Sequence, residues 1–249
     1  MAEEKDKIRV LLTDADEVFL RAVEQEMREE DSFEVVGTTS NGEEMWKLFR
    51  QLQPQLTVLD TELPYIDGLT LAARIRSYQD GGAGILMVTG FSGGRFYSEC
   101  ELLHIDAVVR KPVNPSTVRE RVCLLRKSME RQDLFERRVA ALLRELGMPE
   151  GTLGYQYTLQ AVCLYRETSG GDITKLIYPE IAKRIGTNVH NVERAMRYAI
   201  GKVWERCSPE LLQKYFGEAR AYELDRISNT AFCAAVTAYL CDQEGYLRV

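Results

Sequence analysis

Apolar positions recur with different periods in the two halves of the chain. Over residues 8–128, short runs rich in β-branched side chains, IRVLLT (8–13), FEVVGT (33–38), LTVLD (56–60), ILMVT (85–89) and AVVR (107–110), read as strands. Between them the apolar period lengthens to that of helices: Glu17–Glu30, Glu43–Gln53, Leu69–Tyr78, a weaker stretch over Arg95–Leu103, and Ser116–Arg126. Five such βα units predict a doubly wound parallel sheet covered on both faces. After residue 138 only the helical period remains. VAALLRELG stops at Gly147 with Pro149 beyond it, and Tyr157–Glu167 ends before a Ser-Gly-Gly break. Pro209–Phe216 and Asn229–Cys241 close the series, the latter with Ser228 or Asn229 as a cap. The predicted fold class is therefore α/β plus all-α: a five-stranded N-terminal domain over residues 1–128 and a helical domain over 139–249. No Pro or Gly interrupts Ser116–Leu146. Either the fifth helix runs on through Met129–Arg138 or a polar hinge lies within SMERQDLFERR, and we place the linker at 129–138.

Within the helical half, Tyr178–Trp204 reads as two helices around a tight turn. Pro179 suits a first helical turn, and Ile181, Ala182 and Ile185 mark one buried side. Gly186 breaks the first helix, and Thr187 or Asn188 caps the second. Val189, Val192, Met196, Ile200 and Val203 then point inward. At ~100° per residue, the opposite side carries His190, Asn191, Arg194, Arg197 and Tyr198, with Glu193 on the flank. Such side chains reach phosphate oxygens and base edges from a major groove. A solvated face of an ordinary helical domain is the competing reading.

Charge sharpens the division. Residues 1–128 hold 16 basic and 22 acidic side chains, a net of −6, whereas 129–249 hold 16 of each. From Lys175 to Arg206 there are seven Lys/Arg against three Glu, a local +4 in a chain of −6. Nucleic-acid binding is thus expected of the back half alone. The opening MAEEKDKIRV lacks the apolar core of a signal peptide, and no apolar run approaches the ~20 residues of a membrane span. Six scattered cysteines without a CxxC pair fit reduced thiols, so a cytoplasmic protein without membrane contact is expected. His104 and His190 have no sequence-adjacent catalytic partner and there is no Gly-rich nucleotide loop, which argues against an independent enzyme.

In parallel sheets ligands bind beyond the carboxyl ends of the strands. There lie Asp14 and Asp16 after the first strand, Asp60 after the third, Thr89 after the fourth and Lys111 after the fifth. A carboxylate such as Asp60 can attack phosphorus to form an acyl phosphate if a divalent cation offsets the charge repulsion. Acidic groups after the first strand would hold Mg²⁺, with Ca²⁺ as an alternative. Lys111 supplies a positive charge and Thr89 a hydroxyl for the new phosphoryl oxygens.

The loop DTELPYIDG, the RKP turn and the 22-residue step from Thr89 to Lys111 resemble the receiver domains of two-component response regulators. The resemblance implies Asp60 as phosphoacceptor, Asp14 as a metal-site acid, the Glu62 backbone carbonyl as a metal ligand, Thr89 as switch hydroxyl and Lys111 as phosphate partner. Two positions depart from it. Ala15 stands where receivers carry a second acid, which weakens the cation site unless Asp16 substitutes. Val108 replaces the usual aromatic that follows the threonine inward.

Further on, LGYQYTLQAV, DITKLIYPEIAKRIGT and NVERAMRYAI resemble the DNA-binding domain of the stage 0 sporulation protein A family, over most of 139–249. That implies a six-helix effector domain binding promoter elements once phosphorylation favours dimers, with a histidine kinase or phosphotransferase upstream and RNA polymerase a further candidate partner. Glu193 and Arg194 would lie at the DNA with Arg197 close behind. Asn191 stands where the family usually has Arg, and an Asn suits adenine better than guanine. Residues 217–228 fit the family poorly. Two other readings stay open: a phosphorylation-responsive protein-interaction module, and a DNA-binding regulator whose receiver no longer cycles.

Overall fold

The computed structural model describes residues 7–78, 83–217 and 227–242. It separates into two compact units, Met1–Glu130 and Arg131–Val249.

In the front unit five strands, β1 (Ile8–Thr13), β2 (Phe33–Thr39), β3 (Leu56–Asp60), β4 (Gly84–Thr89) and β5 (Ala107–Arg110), form one parallel sheet in the order β2-β1-β3-β4-β5. The winding reverses between β1 and β3, where such sheets open a crevice at their carboxyl ends. β3 and β4 are buried along their whole length, as strands covered on both faces must be. Alternation sends Val10, Leu12, Val58 and Val88 to one apolar layer, against α1 (Glu17–Arg28) and the start of α5 (Pro115–Glu145). Leu11, Leu59, Ile85 and Met87 face the other layer, against α2 (Gly42–Leu52) and α3 (Gly68–Ser77). α4 (Gly94–Leu102) completes the unit. Three of these helices begin on a side-chain cap, Asp16, Asn41 and Asp67, each accepting backbone N–H groups of the first turn. Gly68 is required by close approach, because a Cβ there would collide with the Asp60 carbonyl.

α5 runs unbroken from Pro115 to Glu145. The stretch 129–138 is therefore helical. Its charged composition hides an apolar stripe: Phe135, Val139, Leu142 and Leu143 are all buried in the core of the back unit, as is Leu146 just beyond the helix. Phe135 is 1% exposed, and the Arg166 guanidinium lies 4.1 Å from its ring centroid.

The back unit continues with α6 (Leu153–Glu167), a π-helical turn (Ile173–Ile177), α7 (Tyr178–Ile185), α8 (Val189–Arg206), α9 (Pro209–Phe216) and α10 (Asn229–Asp242). α6 starts four residues before the sequence pattern suggested, capped by Thr152. The tight crossing lies at Gly154, where a Cβ would sit 2.6 Å from the Ala195 carbonyl and the Ala199 methyl of α8. α7 ends at Gly186 in the left-handed conformation, φ 71°, and Asn188 caps α8 by accepting the Asn191 N–H. Ala182, Val192, Met196, Ile200 and Val203 are buried as expected, and Val189 is half-buried. Ile185 is not: it is 38% exposed, because the turn at Gly186 carries the last residue of α7 past the edge of the core. Ser228, not Asn229, caps α10 through the Ala231 N–H. Most of 217–228, the segment that fits the family poorly, lies outside the described residues.

Candidate functional site

The carboxyl ends of β1, β3 and β5 bring together Asp14, Asp60 and Lys111. Both carboxylates are buried, at 3% and 2% exposure. Lys111 reaches in from the end of β5 and donates to Asp14 Oδ1 at 2.9 Å and to Asp60 Oδ2 at 3.0 Å. Its backbone N–H is anchored on the Thr89 carbonyl at 2.7 Å. Asp60 also accepts from the backbone N–H groups of Ala15 and Glu62, each at 3.3 Å. One cation between two buried carboxylates leaves the cluster one negative charge in excess.

Burial is the main force raising the Asp14 carboxyl above its ordinary value of 3.8; the Asp60 charge adds to it, while Lys111 and the Asp16 N–H work against it. Burial would lower the Lys111 ammonium, but its bonds to Asp14 and Asp60 and their charges hold it above 10.5. Lys111 Nζ lies 2.9 Å from Asp14 Oδ2 as well, yet only Oδ1 is aligned to accept from it, and Oδ2 is buried without a hydrogen bond. That oxygen, ion-paired with Lys111 but without an aligned hydrogen bond, keeps lone pairs of the kind a hard cation takes.

Asp16 stands apart. Its Oδ1 caps α1, accepting from Val18 and Phe19 at 2.9 and 3.1 Å, and the residue is exposed. Among the described residues no group of three or more acid, His or Cys side chains is placed to hold a metal. The acidic set is thus the pair Asp14 and Asp60. Since Mg²⁺ is commonly held by one or two carboxylates with water completing its shell, the pair suffices in number.

Thr89 is fully buried at the end of β4, and its Oγ1 accepts from the Phe91 N–H and from the hydroxyl of Thr61, each at 2.9 Å. Thr61, unremarked in the sequence, follows Asp60 directly. Val108 is half-buried against the α2/α3 layer.

The second constellation lies on α8. His190, Asn191, Arg194, Arg197 and Tyr198 are exposed and Glu193 is half-buried, all on the side opposite the core positions. Arg197 pairs with Glu193 one turn earlier, and Lys202 sits 5.4 Å from the Tyr198 ring centroid. Sequence reasoning missed Asn229. It is 6% exposed, and its Nδ2 donates to the Tyr178 hydroxyl at 2.8 Å and to the Glu193 carbonyl at 3.2 Å. It ties the start of α7 to the second turn of α8. Nothing in the sequence signals this, because Asn beside Ser at a helix start reads as a cap.

Fold and site define a response regulator: a receiver sheet with an acidic, lysine-bridged pocket, joined to a helical DNA-binding domain. Residues 10–123 match the model of the response regulator receiver domain, and residues 139–240 match that of the sporulation initiation factor Spo0A C terminal. The chain belongs to the response regulators of the Spo0A type. Its front unit is similar to the REC domain of AraT from Geobacillus stearothermophilus, at 24% identity and TM-score 0.46 over 51% of this chain and 99% of that one. It is likewise similar to a CheY-like receiver domain protein from Methanospirillum hungatei (23%, TM-score 0.46, 51% and 98%) and to the response regulator domain of CheB from Thermotoga maritima (20%, TM-score 0.45, 50% and 98%). No helix among the described residues is long and apolar enough to cross a membrane.

Proposed function

We propose that the protein is a cytoplasmic transcription regulator whose promoter occupancy is set by phosphorylation of Asp60. The observation that carries the reading is the Lys111 bridge to Asp14 and Asp60, in a chain that also presents a basic exposed face on α8. An oxygen of the Asp60 carboxylate attacks the phosphorus of a phosphohistidine on a kinase or phosphotransferase. The O–P bond forms as the donor P–N bond breaks, and the imidazole leaves with the electron pair. Lys111, already within 3.0 Å, balances charge on the transferred group. A divalent cation, held by Asp14, Asp60 and the Glu62 carbonyl, would neutralise the remaining charge when bound. Thr89 would then turn its hydroxyl to a phosphoryl oxygen, favouring a second receiver state and a homodimer.

On DNA, Arg194 and Arg197 would take guanine edges or phosphates, Asn191 an adenine, Glu193 a cytosine amine, and His190 and Tyr198 the backbone. Contact with RNA polymerase, and the sporulation role of the family, belong to the same reading. Incubation with acetyl phosphate and Mg²⁺ should add one phosphoryl group by intact mass, lost in Asp60→Asn. Unbiased selection of bound DNA with phosphorylated and untreated protein should return one motif, enriched more strongly by the phosphorylated form. A protein-interaction module would return none.

One observation favours a second reading. With Ala15 in place of an acid and Asp16 engaged as a cap, the cation site has one carboxylate fewer than the receiver pattern, which would weaken its hold on the ion and suits a fixed dimerisation platform. Unchanged mass in the acetyl phosphate experiment would favour that alternative.

A further inference from the structure

Strand alternation assigns Asp60 and Thr89 to opposite sides of the sheet. Along β3, Val58 belongs to the α1/α5 layer and Leu59 to the α2/α3 layer, so alternation continues Asp60 on the first side and Thr61 on the second. Along β4, Met87 belongs to the α2/α3 layer and Val88 to the other, which returns Thr89 to the side of Thr61. Asp14 and Lys111 lie with Asp60, because the Lys111 ammonium bridges the two carboxylates. Thr89 has accordingly turned away from the residue it would serve, and Thr61 holds it there.

The hold is rigid at both ends. Thr61 is 4% exposed; its N–H donates to the Val88 carbonyl at 3.1 Å, and its carbonyl accepts the Gly68 N–H at 3.1 Å. The Thr89 carbonyl is fixed by the Lys111 N–H. Between these anchored backbones the Thr61 hydroxyl donates to Thr89 Oγ1 at 2.9 Å, and the Phe91 N–H occupies the second lone pair. Rotating Thr89 toward Asp60 breaks the hydroxyl–hydroxyl bond and strips a buried hydroxyl of its partner, a penalty set against the switched state.

We infer that Thr61 is a positioning residue that latches the Thr89 hydroxyl in the resting receiver, so that phosphorylation must overcome it. The inference rests on the reading of Asp60 as phosphoacceptor. It assigns to the residue after the phosphoacceptor a control over how readily the receiver switches.

The test is the affinity of the full-length protein for beryllofluoride with Mg²⁺, a mimic of the phosphoryl group on a carboxylate. Thr61→Val keeps the branched shape and loses the hydroxyl, and should bind about 2- to 10-fold more tightly than the wild type. Thr61→Ser keeps the hydroxyl and should stay within about twofold, a rescue that a purely packing role would not give. Thr61→Ala, smaller and easier to accommodate, should tighten binding as Thr61→Val does. In the untreated protein the Phe91 amide resonance should move in Thr61→Val and Thr61→Ala but not in Thr61→Ser. Equal or weaker binding by both hydroxyl-free variants, with normal binding by the wild type, would overturn the latch and leave Asp60 as phosphoacceptor. No binding of beryllofluoride by the wild type would overturn both.

Discussion

The two units place their charge in opposite ways. In the front unit the functional polar groups are inside: Asp14, Asp60, Thr61 and Thr89 are each under 5% exposed, and one lysine serves two carboxylates. In the back unit the charges of α8 face water, while the interior is apolar apart from Asn229 and Thr158 among the buried residues. Buried charge interacts strongly and is costly to leave unpaired; solvated charge costs little to place and is screened by salt. The acidic pocket is therefore bound up with the stability of its unit. The exposed face of α8 can be altered almost without structural penalty. The helix α5 belongs to both units, and its second half behaves as core.

Phe135 gives the largest expected effect. If 129–138 were a solvated linker, its truncation would cost nothing; as a fully buried ring in the back-unit core, Phe135→Ala should cost about 3–5 kcal/mol in denaturant unfolding. A change under about 0.5 kcal/mol would restore the linker. Next is Lys111→Met, which strands two buried carboxylates and should destabilise the front unit by about 3 kcal/mol at neutral pH. The sign with pH follows from its raised value. The Lys111 contribution is complete below the ordinary lysine value of 10.5 and is lost as pH rises through the higher value in the folded chain. Unfolding curves flat from pH 9 to 12 would contradict the bridge.

Arg194→Ala inverts the pattern: stability should stay within about 0.5 kcal/mol, while DNA affinity falls by about 1–3 kcal/mol. Equal losses in both would erase the contrast between the units. Asn229→Ala lies between them, because it leaves the buried Tyr178 hydroxyl unpartnered at a cost of about 1–3 kcal/mol and loosens α8 at Glu193. The smallest effect concerns the cation. Since burial holds the Asp14 carboxyl above 3.8, protons should begin to compete with Mg²⁺ at a higher pH than for an ordinary carboxylate, and affinity should fall as pH drops through that raised value.

Most of the front unit was legible because polar residues at the ends of apolar runs stand out. Asp60 and Thr89 end their strands, Asp14 and Lys111 directly follow theirs, and the short apolar runs mark the sheet. The capping duty of Asp16 was not visible, since an acid two residues from Asp14 can serve a cation or a helix terminus equally well. In the back unit the face of α8 followed from its period, and the turn from Gly186. What stayed hidden depended on partners distant in sequence. Phe135 sits among charges, and its stripe emerges only when it is joined to Val139 and Leu142. Gly154 owes its role to Ala195 and Ala199 on another helix. The π-helical turn at 173–177 has no compositional mark, and Ile185 left the core at a turn whose reach the helical period does not encode.

The most direct measurement is the affinity of a selected promoter sequence for full-length protein before and after acetyl phosphate with Mg²⁺, in wild type and Asp60→Asn, across a salt series. The account predicts that the phosphorylated wild type binds more tightly than the untreated protein, that affinity falls steeply with salt in both, and that Asp60→Asn does not respond. A wild type carrying one phosphoryl group on Asp60 with the same DNA affinity as the untreated protein would contradict it.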